Sequence, residues 1–260
     1  MSATTSMRGA FQAERIRWRS SAVTRLRWAA AGYGGLSAML ALSTDSALSW
    51  YSLLAYQNLW IVGFGPLFLA LIVGTQASLE HSYRGGGTWS RPTAPWVARF
   101  ARFGMLTPTV LMVNLLAMLV PIAAGLVLAG PPPVAHLLAS VAVSTLAQLG
   151  LLAVLVRSGI HVGRTAVLAV GLAWAVAAVL TAESTAWPIS PFAWTLRGSL
   201  PVIGTHANGE ALLPSDALAT ASIVTPTLLS LALAISVLAL PVPGGRVGAP
   251  TARHDGDFLC

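Results

Sequence analysis

Ionisable side chains are scarce in this chain, and those able to meet something in water gather in one stretch. Between positions 76 and 104, QASLEHSYRGGGTWSRPTAPWVARFARFG carries Glu80, Arg84, Arg91, Arg99 and Arg102 around Gly85, Gly86 and Gly87. Glu80 and Arg84 stand at i,i+4, a spacing at which opposite charges on an exposed helix contribute about 0.2–0.5 kcal/mol. The three glycines then break the helix, and Trp89, Pro92 and Trp96 lead into a second amphipathic stretch with Arg99 and Arg102. The pattern reads as helix, break and helix against a membrane, offering aromatic and cationic side chains to a soluble partner. It is no phosphate cradle, because no strand precedes the glycines and the chain has no lysine.

The remaining candidates lie deep in apolar runs: Asn114, Ser144 and Gln148. They suit helix-to-helix hydrogen bonds in a bundle, or contacts to a ligand. No apolar run has an ionisable residue near its centre, which removes the usual means of carrying a proton or ion across a bilayer. There is no HExxH, no paired carboxylate and no Ser-His-Asp set at a plausible depth. The one cysteine, Cys260, supports neither a metal cluster nor a disulfide. The chain by itself therefore reads as no enzyme and no metal protein.

These residues sit in a chain that is 55% hydrophobic and 9% charged, with mean hydropathy +0.73, far from the quarter of charged residues in a soluble domain. Six runs, at 28–44, 53–75, 105–129, 134–156, 165–182 and 219–240, each approach the ~20 residues a membrane helix requires. They are continuously apolar and not alternating, so helices are expected over barrel strands. Before them, 1–27 reads as a helix at the membrane surface, with Phe11, Arg15, Trp18 and Ala22 on one stripe. Pro131, Pro132 and Pro133 set a tight turn between the third and fourth runs. The aromatic, proline-rich segment 183–218 is expected as an external loop able to fold as short helices that dip into the membrane surface, and 241–260 as a disordered tail. Glycines 32, 34 and 35 in the first run, and Ala166, Ala169, Ala173 and Ala177 in the fifth, allow close helix approach or oligomer contacts.

Arginine sets the orientation. The N-terminal segment, the 76–104 loop, the 157–164 connection and the tail hold fourteen arginines, while the alternate connections hold only Arg197. The positive-inside rule then places both termini in the cytoplasm. The same rule accounts for the net charge of +7 without nucleic acid. The expected fold is an all-α polytopic membrane protein: an interfacial helix and six transmembrane helices in 28–240, with 76–104 cytoplasmic.

The pattern resembles the membrane permease subunit of a type-2 ABC exporter, closest to the lantibiotic-immunity and bacteriocin-export group. Glu14 followed by Arg15, Arg17 and Arg19 is similar to the family's first helix, in which Trp18 also falls. Glu80, Trp89, Pro92 and Arg99 resemble its loop after span 2; the glycine run and the lack of lysine depart from it. The resemblance implies ATPase-coupling roles for Glu80, Arg84, Trp89, Arg91, Pro92 and Arg99. It implies two ABC ATPase subunits that carry ATP and Mg, so this chain binds no cofactor. It also implies a second permease, identical or related, and surrounding lipid in a bacterial plasma membrane. The cargo implied is an amphipathic peptide or lipid-like compound. A secondary transporter and a non-transporting scaffold are the competing classes; the first lacks an internal repeat here.

Overall fold

The computed structural model describes residues 7–19, 23–44, 49–82 and 94–241. Arg84, Trp89, Arg91, Pro92, the three loop glycines and the tail from 242 lie outside the described residues. The elements are α1 (Met7–Arg19), α2 (Val23–Leu26), α3 (Ala29–Thr44), α4 (Trp50–Ala55), a π-helical segment (Trp60–Phe64) and α5 (Gly65–Ser82). They continue through α6 (Pro95–Leu128), α7 (Val134–Ala147), α8 (Leu149–His161), α9 (Arg164–Thr181), α10 (Pro191–Ile203) and α11 (Val224–Ala239). An isolated bridge between Thr205 and Ala211 is the one β pairing among the described residues, and the architecture is all-α.

Four helical stretches are long and apolar enough to cross a bilayer: Trp50–Ser78, Trp96–Leu128, Val134–His161 and Arg164–Thr181. The other two expected spans fall short of that length. α3 and α11 have 16 residues each, about 24 Å at 1.5 Å per residue, against ~30 Å of hydrocarbon. α11 begins later than 219 because the chain is still in turns there, and Ser222 Oγ accepts the Val224 N–H just before the helix starts. The polar stretch 76–104 is helical at both margins: α5 runs on to Ser82, and α6 starts at Pro95 and continues for 34 residues.

Proline chemistry explains the irregular helices. Pro66 has no N–H and crowds the preceding turn, and the backbone widens into the π segment just ahead of it. Pro121 frees the carbonyl of Ala117 inside α6, and Gln57 Nε2 of the α4–π connection reaches it at 3.5 Å. Gly34 of α3 makes the close approach possible there, since a Cβ at that position would lie 2.5 Å from the Ala117 oxygen. On α9 the buried stripe is Val167, Gly171, Trp174 and Ala178. Gly171 meets Ala70 of α5, while Ala169 and Ala173 face outward.

α8 is central, with Leu151, Leu152 and Leu155 fully buried and α5, α9 and α11 packed around it. The 183–218 segment is more deeply embedded than a dipping loop. Within it α10 buries Ala193, Leu196 and Leu200 completely against α7, α9 and α11. Gly204, at φ 76°, ends α10 in the left-handed conformation.

Contacts sort the helix ends into two layers. At one end Arg99, near the start of α6, donates from Nη1 to Leu240 O at 2.8 Å. Arg157 of α8 donates to Val237 O and Leu240 O at 3.0 Å each. At the other end Trp50 Nε1 donates to Gly130 O at 3.3 Å and Tyr51 OH to Gly204 O at 3.1 Å. Arg197 lies in that second layer, where Nη1 bonds to Ala182 O at 3.2 Å and the guanidinium stacks 5.2 Å from the Trp187 ring.

Candidate functional site

Two groups of side chains carry the functional interest, one where α1 meets α6 and one inside the bundle. The first starts from a short apolar patch: Ala10 and Phe11 of α1 pack on Val97 and Ala101 of α6. Gly104 leaves room for the Phe11 ring, which a Cβ there would meet at 2.7 Å. One turn beyond Ala10, Glu14 forms an ion pair with Arg102 at 3.5 Å, both side chains 4% exposed. A pair this buried gains little net stability but costs about 3–5 kcal/mol if one partner alone is removed. The face that α1 turns to the bundle is thus Ala10, Phe11 and Glu14, while Arg15 is exposed. Of the expected stripe, Phe11 turns to α6 and Arg15 projects away from it, while the Trp18 side chain and Ala22 lie outside what the structure describes.

The coupling candidates therefore divide. Glu80 lies near the end of α5, and Arg17, Trp18 and Arg19 lie in the last turn of α1. Arg99 is 3% exposed and caps the carbonyl end of α11, the position where a cation complements a helix terminus. It does not present its guanidinium to the surface. Arg102, which pairs with Glu14, is the residue of this region that local spacing fails to single out, because its partner is 88 positions away.

The second group is built on helix defects. The π segment brings Trp60 inward, and its Nε1 donates to Asn114 Oδ1 at 2.9 Å. Asn114 Nδ2 donates to Thr145 Oγ1 at 3.1 Å and to Gln148 Oε1 at 3.3 Å. Gln148 itself stands at the break between α7 and α8. Gln57 Nε2 adds a bond to Ser37 Oγ at 3.2 Å. Ser144 lines a void of about 10 Å³ with Gln57, Trp60 and Asn114, room for a single water. Asn114, Ser144 and Gln148 are thus brought together, and neutral hydrogen bonds join three of the crossing stretches and α3. Gln57 and Trp60 complete the network; the Gln57–Asn58 pair interrupting the second apolar run was the available signal.

No family model, curated protein or solved structure matches this chain. Its chemistry has to be read from its own side chains.

A third cluster lies in the second layer, in the loop after α10. His206 Nδ1 is 2.8 Å from Glu183 Oε2 and its Nε2 is 3.2 Å from Asp216 Oδ2. Glu183 also accepts from the Ala207 N–H at 2.6 Å, and Asp216 from the Leu213 N–H at 2.6 Å. Hydrogen bonds that the His206 ring donates to Glu183 foremost, and to Asp216, raise the His206 pKa and together outweigh the opposing effect of burial. Burial pushes Glu183 upward, but the Ala207 amide and His206 outweigh it and leave its pKa lowered. With both ring nitrogens engaged, the cluster fastens the 205–216 loop to the end of α9. Among the described residues no group of His, Cys, Asp and Glu is arranged to hold a metal.

Proposed function

We propose that this chain is the transmembrane subunit of an ATP-driven exporter whose ATPase is a separate polypeptide. The helical, membrane-spanning architecture supports a transport-type protein. The observation that carries the finer reading is the buried Glu14–Arg102 pair. It makes an amphipathic helix and the first turns of a membrane-crossing helix one body, beside the polar segment that joins α5 to α6. A soluble motor pressing on that surface would move a crossing helix directly, which is the physical requirement for coupling two distant sites.

In this reading α3 and α11 complete six crossings, their short length met by local bilayer thinning, and both termini are cytoplasmic. Two ABC ATPase subunits hold ATP and Mg, and a second permease, identical or related, completes the particle in a bacterial plasma membrane. Glu80, Arg84, Trp89, Arg91 and Pro92 are the proposed docking residues. The nearly uncharged interior suits an amphipathic peptide or lipid-like cargo.

The test is to read the neighbouring genes for an ABC ATPase, co-express this chain with it and purify in detergent. A particle containing both subunits, whose ATP hydrolysis is stimulated several-fold by the permease and loses that stimulation in Glu14→Gln at unchanged elution volume, is the expected result. A stable particle without any nucleotide-hydrolysing subunit overturns the proposal in favour of a scaffold.

A further inference from the structure

Where α3 ends and α4 begins, the bundle opens into a cavity of about 590 Å³, within the roughly 300–1,000 Å³ usual for small-molecule sites. Its floor is Leu40 of α3 with Leu59 and Val62 of the second membrane helix, and its rim includes Thr44, Tyr51 and Tyr56. The tip of the loop after α10, Ala207 to Gly209, lines it as well. This tip is shaped to sit there: Gly209 takes φ 91°, and a Cβ on it would come within 3.3 Å of Asn58 Nδ2.

The cavity has apolar walls and uncharged polar groups, and among the described residues no Arg, Asp, Glu or His lines it. Asn58 is the informative residue. It is 7% exposed, lines the cavity, and its Oδ1 is a buried acceptor with no hydrogen-bond partner. A buried unpaired amide oxygen costs about 1–3 kcal/mol, a cost that a donor brought to Asn58 would relieve. The rim hydroxyls are already committed: Thr44 Oγ1 and Tyr56 OH lie 2.7 Å apart, and Tyr51 OH donates to Gly204 O.

We infer that this cavity binds a neutral amphiphile, its hydroxyl or amide N–H donating to Asn58 Oδ1 and its hydrocarbon lying on Leu40, Leu59 and Val62. Headgroups carrying phosphate or carboxylate are disfavoured, because none of the described lining residues is a cation that compensates a negative charge taken out of water. The inference stands apart from the ATPase reading and survives if that reading fails. Two sources share the chemistry, a resident membrane lipid and a transported compound.

Native mass spectrometry of the full chain, released from a zwitterionic detergent after equilibration with monoolein or dioleoylphosphatidic acid, tests it. Wild type is expected to hold one monoolein and to favour it over the acid. Asn58→Leu removes the acceptor and should weaken monoolein about tenfold, and Ala55→Trp should fill the space and abolish it, both with unchanged helical circular dichroism. A lipid carried through from the native membrane assigns the site to resident lipid; a site that fills only on addition of monoolein assigns it to transient cargo. Equal binding of both probes, or Asn58→Leu binding like wild type, overturns the inference. So does a dimer of the chain that Ala55→Trp disrupts, which would make the cavity a contact between copies.

Discussion

Asn114 shows how one neutral side chain organises a membrane interior. It accepts from Trp60 and donates to Thr145 and Gln148, so its removal leaves three buried partners unsatisfied. Asn114→Leu is expected to cost about 1–3 kcal/mol, seen as a lower melting temperature in detergent. An unchanged melting temperature would mean that the network adds nothing to stability. The presence of Asn114, Ser144 and Gln148 in the interior was legible from their positions in apolar runs. Their partners were not, because hydrogen bonds between helices obey three-dimensional register and leave no periodic trace. The same limit hid the Glu14–Arg102 pair. It also led to Arg99 being taken for a surface cation, when the carbonyl end of α11, far along the chain, claims it.

At the level of elements, the helices were legible where apolar runs were long. Their ends were not. α6 gathers arginines in its first turns, so the expected amphipathic stretch with Arg99 and Arg102 and the apolar run from 105 read as separate pieces, whereas they form one helix from Pro95. α10 falls where short helices were expected within 183–218, but its bounds were not legible through two prolines and an arginine; Pro191 opens the helix, where its missing N–H costs nothing. Helix packing supplies a sharp comparison among the three glycines of α3. Gly34 is pressed on the Ala117 carbonyl, whereas nothing lies within 4 Å of a Cβ at Gly32 or Gly35. Gly34→Leu should force α3 off α6 and lower the melting temperature by several degrees, while Gly35→Leu should leave monomer stability nearly unchanged. Loss of a dimer in Gly35→Leu alone would identify the open glycine face as an oligomer contact; equal destabilisation by both variants would refute the packing account.

For the whole molecule, the loop after α10 is where solution conditions should act. His206 has a raised pKa, so its stabilisation is complete below its ordinary value of 6.5 and is lost as pH rises through the raised value. Glu183 has a lowered pKa, so its share is complete above its ordinary 4.5 and is lost as pH falls through the lowered value. The fastening is strongest between those two limits. The melting temperature should decline as pH rises above the histidine range, and His206→Gln should flatten that decline; an unchanged profile in the variant would show that the cluster does not tie the loop down.

α6 has one more consequence. At 34 residues it is about 51 Å long, gripped by Glu14 at one end and by the Trp50 ring against Gly125 at the other. Between them, α3 bears on it at Ala117. A tilt applied through α1 would pivot at that contact, and the missing backbone bonds at Pro108 and Pro121 set how much of it would reach the opposite face.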